Sequence, residues 1–199
     1  MIRSVALIVA LALPSFVTAQ EVVGSAVVDG RGATLYADGT WDFSERGDAE
    51  CSEIARNVEF CGENAGWSYT TPPNADIAAT YRFDDRHYGQ MIIEELGSRD
   101  GLTNEYMLDV VIENAAAVIG GRTQDIAVLE TYRVRVGNQT IPTIVYAFQI
   151  DGLDVVYANG IRTSPNRTMQ LMTFSIGTDF TDRHRDLHEA FLSEIKISK

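Results

Sequence analysis

The sequence predicts an α+β protein, an antiparallel sheet held between two helices and preceded by a small β element with one disulfide. Three observations predict it. Alternating apolar stretches between Ile126 and Ile176 are broken only by short turns. Two segments, 103–119 and 180–195, instead repeat their apolar residues every three or four positions. The only two cysteines, Cys51 and Cys61, lie close together in a Gly- and Asp-rich section that precedes both.

In chain order, residues 1–19 read as an export signal. Met1-Ile2-Arg3 is a basic start, Val5 to Leu13 an unbroken apolar run, and Val17-Thr18-Ala19 a small-residue cleavage site ahead of Gln20. The apolar run is too short to cross a ~30 Å hydrocarbon core as a helix, so no stable membrane anchor is expected. No cysteine follows it to accept a lipid. The expected location is therefore periplasmic or secreted.

Residues 20–73 form the expected β-rich N-terminal region. Val22-Val23 and Ala26-Val27-Val28 are strand material, and Asp29-Gly30 and Asp38-Gly39 are hairpin turns. Leu35, Trp41 and Phe43 are its candidate buried face. In an oxidising compartment Cys51 and Cys61 should pair, stabilising the fold by about 2–3 kcal/mol on the chain-entropy account. A redox-active pair would use a two-residue spacing rather than nine. Between the cysteines, Ile54, Val58 and Phe60 suit a short helix or an irregular loop. Thr70-Thr71-Pro72-Pro73-Asn74 then breaks regular structure and is the expected boundary.

Residues 75–199 carry the clearer rhythm. Ile77–Phe83 and Gln90–Leu96 are strands on either side of Asp84-Asp85-Arg86-His87. Met107, Val110, Val111, Asn114, Ala117 and Val118 mark a helix from about Thr103, with Thr103 or Asn104 as cap and Gly120-Gly121 as stop. Ile126–Val136, Thr140–Ile150, Leu153–Ile161 and Met169–Ile176 follow as strands. Turns as short as Gly137-Asn138, Asp151-Gly152 and Pro165-Asn166 join antiparallel neighbours, because a parallel pair needs a long crossover. Leu187, Ala190, Phe191 and Ile195 stripe the last helix, and Ile195-Lys196-Ile197 suggests an extended tail. Both helical stripes must be buried against sheet faces.

This section resembles the Mog1/PsbP-like superfamily of α/β/α sandwiches. The residues that carry the resemblance are the Asp151-Gly152 turn, Tyr157-Ala158-Asn159, Gln170-Leu171-Met172-Thr173 and the closing Phe191-Leu192-Ser193-Glu194-Ile195-Lys196-Ile197. It covers about residues 75–197. It implies a non-enzymatic binding, assembly or accessory role and brings no catalytic set with it.

Composition narrows the partners. With 28 acidic residues against 16 Lys or Arg, the chain carries a net charge of −12, which repels nucleic acid and anionic membrane surfaces. An acidic balance also simply keeps an exported protein soluble. The expected partner is another envelope protein or a small ligand, and nothing in the sequence implies a cofactor.

Three constellations carry possible chemistry. His184 and His188, four apart on the last helix beside Asp182 and Asp186, share a face in the manner of a zinc pair. They lack the glutamate of a zinc-protease helix and are expected as exposed or half-exposed residues. Asp84, Asp85 and His87 could serve acid–base work or bind calcium, although a solvated hairpin loop explains the same letters. Tyr132, Tyr146, Phe148, Tyr157 and Phe174 fall on successive strands and make either a core beneath a helix or a ligand-lining face. No Gly-x-Ser-x-Gly turn, phosphate loop or dinucleotide fingerprint occurs. The leading expectation is thus an exported, non-catalytic binding or assembly module. A metal-assisted hydrolase using His184 and His188, and a small-ligand carrier using the aromatic face, are the alternatives.

Overall fold

A computed structural model describes residues 22–28, 31–43, 51–136 and 138–198. The expected export signal at 1–19 lies outside the described residues, as do Asp29-Gly30 and Gly137. Three sheets are present among those described. The first contains β1 (Val22–Val28), β2 (Arg31–Tyr36) and β3 (Trp41–Phe43), all antiparallel. Its second turn is built as the sequence reads. Gly39 takes a left-handed φ of 82°, and Asp38 Oδ1 accepts the Thr40 N–H at 2.9 Å.

The expected buried face of this sheet, Leu35, Trp41 and Phe43, is corrected at its first two residues, and the Phe43 side chain lies outside what is described. Leu35 and Trp41 sit opposite one another, and both are exposed. Ala33 is buried instead, on the strand β2 that also contacts the turn at Glu63–Ala65.

Residues 51–61 are neither helix nor irregular loop but a hairpin of β4 (Ser52–Ala55) and β5 (Val58–Phe60), closed across its base by the Cys51–Cys61 disulfide. Asn57 supplies the left-handed turn with φ 63°. The C-terminal strand completes this second sheet, and its pairing is described below.

The main sheet has seven antiparallel strands. In chain order they are β6 (Ser68–Thr70), β7 (Ala79–Arg82), β8 (His87–Glu94), β9 (Ala127–Val136), β10 (Gln139–Ile150), β11 (Leu153–Ser164) and β12 (Arg167–Ile176). Across the sheet the order is β6-β7-β8-β12-β11-β10-β9. The meander β9 to β12 follows the short turns of the sequence. Only the return of β12 to β8 needs long-range pairing.

Helix α1 (Asn104–Val118) covers one face. Thr103 caps it, its hydroxyl accepting the Tyr106 N–H at 3.1 Å, and Gly120 in the left-handed region stops the chain from continuing. Met107, Val111 and Ala115 pack on Ile144, Tyr146 and Ile161. Helix α2 (Asp182–Ser193) covers the other face with Leu187, Phe191 and Leu192 against Met91, Ile141 and Leu171. Strand alternation sorts β10 between the two, Ile144 and Tyr146 toward α1, Ile141 and Val145 away from it.

The expected helix through Ile195 ends earlier. Ile195 begins β13 (Ile195–Ile197), which pairs with β5 as Ile195↔Phe60 and Ile197↔Val58. The last strand thereby draws the disulfide hairpin onto the sandwich. Phe60 lies 4.1 Å from Tyr81 and 5.2 Å from Phe191 between ring centroids, and Trp67 lies 4.8 Å from Phe191. The Thr70–Asn74 break thus joins two neighbouring strands of one sheet, with residues on both sides of it in one core.

Candidate functional site

Two polar groups that the sequence kept apart meet at one end of α2. At the turn between β7 and β8, Asp84 Oδ1 accepts the N–H groups of Arg86 (2.8 Å) and His87 (3.0 Å) and lies 2.7 Å from His87 Nδ1. Burial by itself pushes the Asp84 carboxyl up, but these donors outweigh it and hold the carboxyl below its usual range. The His87 and His184 rings then face each other, centroids 5.4 Å apart. His184 Nδ1 accepts the Thr181 N–H at 3.0 Å, in the first turn of α2. Burial, followed by the positive charge that a protonated His87 would carry and by Arg183 and Arg86, pushes the His184 imidazole down.

Those partners fix the tautomers. A carboxylate only accepts, so a neutral His87 carries its proton on Nδ1 and offers a lone pair at Nε2. A backbone N–H only donates, so a neutral His184 carries its proton on Nε2. One ring therefore presents an acceptor and the other a donor. A metal held by both Nε2 atoms would first have to displace the His184 proton. Ser175 stands directly opposite His87 across β8 and β12, buried, its hydroxyl without a hydrogen-bond partner among the described residues. His87, Ser175, Phe180, His184 and Leu187 are among the residues lining a small cavity of about 10 Å³, room for about one water. Asp85 stays outside, exposed and paired with Arg82 at 3.3 Å.

His188 does not join this group. The sequence predicts an exposed or half-exposed ring, and it is instead fully buried in the sheet-facing stripe of α2. Its Nδ1 is 3.0 Å from Thr173 Oγ1, and burial pushes its pKa down to about 3, so the ring is neutral. Four-residue spacing gives two side chains a shared face only approximately. Here one points along the helix end and the other under it. Among the described residues no group of three or more His, Cys, Asp or Glu is placed to hold a metal ion.

The aromatic residues divide between the two faces. Tyr132 belongs to the α2 side, where the Arg185 guanidinium lies 4.4 Å over its ring and pairs with Glu130 at 2.8 Å. The other four share the α1 side. Tyr157 stacks on Phe174 (5.0 Å), on Tyr146 (5.3 Å) and on Phe148 (5.4 Å), the last two nearly parallel to it. Tyr88 extends the row at 5.1 Å from Phe174. The register explains this, since Tyr88↔Phe174, Phe174↔Tyr157 and Tyr157↔Tyr146 are cross-strand partners. Helix α1 buries Tyr146 but leaves Phe148, Tyr157, Phe174 and Tyr88 half-exposed, and Leu153 and Ile176 are exposed near the same strand ends. Sequence reasoning missed Tyr88 because its strand begins three residues earlier than the apolar run suggests.

These features define a class before any relative. The fold is PsbP/Mog1-like, an antiparallel sheet between two helices. Among solved structures it is similar to cyanobacterial PsbP (CyanoP) from Synechocystis, with a TM-score of 0.52 and 15% identity over 77% of this chain and 96% of that one. A Bacteroides thetaiotaomicron protein aligns with a TM-score of 0.48 and 10% identity over 72% of this chain, which spans 46% of that protein's length. No family model matches the sequence, and no curated protein matches it.

Proposed function

We propose that this chain is an exported, non-catalytic binding module that serves as an accessory to another protein of the periplasm or cell envelope. The observation that carries the reading is the half-exposed aromatic row Tyr88–Phe174–Tyr157–Phe148, extended by exposed Leu153 and Ile176. Contiguous apolar surface of this kind marks protein contact. The likeness to a PsbP protein supports an accessory role. The signal-like start and the disulfide support export, and no helix among the described residues is long and apolar enough to cross a membrane. The acidic balance of the chain argues against nucleic acid as the partner.

The test is cross-linking in the native host followed by mass spectrometry, comparing wild type with a Leu153→Asp/Ile176→Asp double variant. One dominant envelope partner, lost in the variant while the unfolding midpoint is unchanged, is the expected result. An identical cross-link pattern in both would remove the aromatic face from the account. N-terminal sequencing of the exported protein should begin at Gln20.

A further inference from the structure

A second cavity lies on the opposite face, beyond the C-terminal end of α2, and it is independent of the aromatic row. Its volume is about 510 Å³, within the range of small-molecule sites. Ile141, Leu171, Leu192, Ile195 and Ile197 form an apolar lining. The space exists because α2 stops at Ser193 and the chain turns away into β13, leaving the ends of β9 to β12 uncovered.

Arg162 is the residue that gives this space a chemistry. It follows Gly160 on the same face of β11, pairs across to Met169 of the core, and lines the cavity. It is half-buried, yet it has no ion pair or side-chain hydrogen bond among the described residues. By contrast, Arg167 nearby is bound to Glu95 and to the Arg56 carbonyl. Burial, and then the charge of Arg167, pushes the Arg162 guanidinium down from its ordinary value. Arg135 adds a second cation to the lining, and Asn138 and Gln139 add neutral amides. Among the described residues no acidic side chain lines this cavity. A half-desolvated cation such as Arg162 is costly without a counter-charge, and a guanidinium satisfies a carboxylate through two parallel hydrogen bonds.

We propose that this cavity binds an amphipathic carboxylate, with Arg162 gripping the carboxylate and the Ile141–Ile195–Ile197 edge of the lining holding an aliphatic body. Decanoate, kept below its micelle concentration, is the probe. Calorimetry on the full mature protein should show one site for decanoate, with decanol and decylamine each at least about tenfold weaker because neither completes the arginine pair. Arg162→Gln should weaken decanoate by about tenfold or more, and Arg162→Lys by less. NMR with carboxyl-labelled decanoate should show contacts from its chain to the methyl groups of Ile141, Ile195 and Ile197. The ligand comparison uses wild-type protein, so it stands even if a variant misfolds. Equal affinity for decanol, unchanged binding in a folded Arg162→Gln protein, or no decanoate binding at millimolar concentration would each overturn the assignment. Leu153→Asp/Ile176→Asp should leave decanoate affinity unchanged.

Discussion

The Phe191 ring occupies the space that a side chain at Gly89 would need. An added Cβ on Gly89 would meet Phe191 Cε2, Cδ2 and Cζ inside any real contact distance. Gly89 is the middle of β8, where a glycine ordinarily weakens a strand, and here it is the notch that lets α2 sit down on the sheet. Phe191 in turn touches Phe60 and Trp67, so this one notch sets the height of the helix and of the disulfide hairpin together.

Gly89→Ala should therefore destabilise by about 1–3 kcal/mol, the cost of overpacking a filled core. Urea unfolding at neutral pH measures it. Gly152→Ala, in a left-handed turn with open space around it, provides a comparison in which only backbone strain acts. A Gly89→Ala protein as stable as wild type would mean that α2 shifts freely on the sheet.

The buried His188 makes stability depend on pH. Its folded pKa of about 3 lies below the ordinary 6.5 of a histidine, so the unfolded chain takes up a proton that the folded chain refuses. Its contribution is intact above pH 6.5 and is lost as pH falls from there toward 3, with a slope of up to about 1.4 kcal/mol per pH unit. Urea midpoints measured at pH 7, 5 and 4 should fall, and His188→Met should flatten that fall. Identical slopes in both proteins would contradict the burial of an uncharged ring.

Reducing the disulfide should cost about 2–3 kcal/mol, seen as a lower unfolding midpoint in reductant than without it. The Cys51→Ser/Cys61→Ser protein should match the reduced wild type. Because Cys61 N–H donates to the Glu194 carbonyl at 2.9 Å and β5 pairs with β13, amide exchange of Ile195–Ile197 should accelerate as well.

Thr103→Ala should cost about 1 kcal/mol by leaving the Tyr106 N–H without its cap, and Thr103→Ser should restore most of it. Chemical denaturation of the three proteins decides this. Equal stability of the alanine and threonine proteins would show that solvent replaces the cap at no cost.

Much of the sandwich was legible because its signals are local. The period of Met107–Val118, a cap at Thr103 or Asn104 (it is Thr103), the stop at Gly120 and the turns at Asp151-Gly152 and Pro165-Asn166 each act within a few residues, and each reappears in the structure. The candidate sites were less legible. Helical spacing sets His184 beside His188, but its ring meets His87, which reaches it only because β8 pairs with β12 beneath α2. Leu35 and Trp41 looked like core by their size, yet nothing in their own strand says whether a second layer covers them.

What the sequence determined by itself was the element order, the antiparallel turns, the two amphipathic helices and the cysteine pair, since backbone preference and apolar period are short-range properties. Tertiary structure alone decided that β5 and β13 would pair, that Tyr88 would complete the aromatic row, and that Arg162 would line a cavity without a counter-charge. Those outcomes depend on which distant strands share a register, and register is chosen by the packing of a whole face.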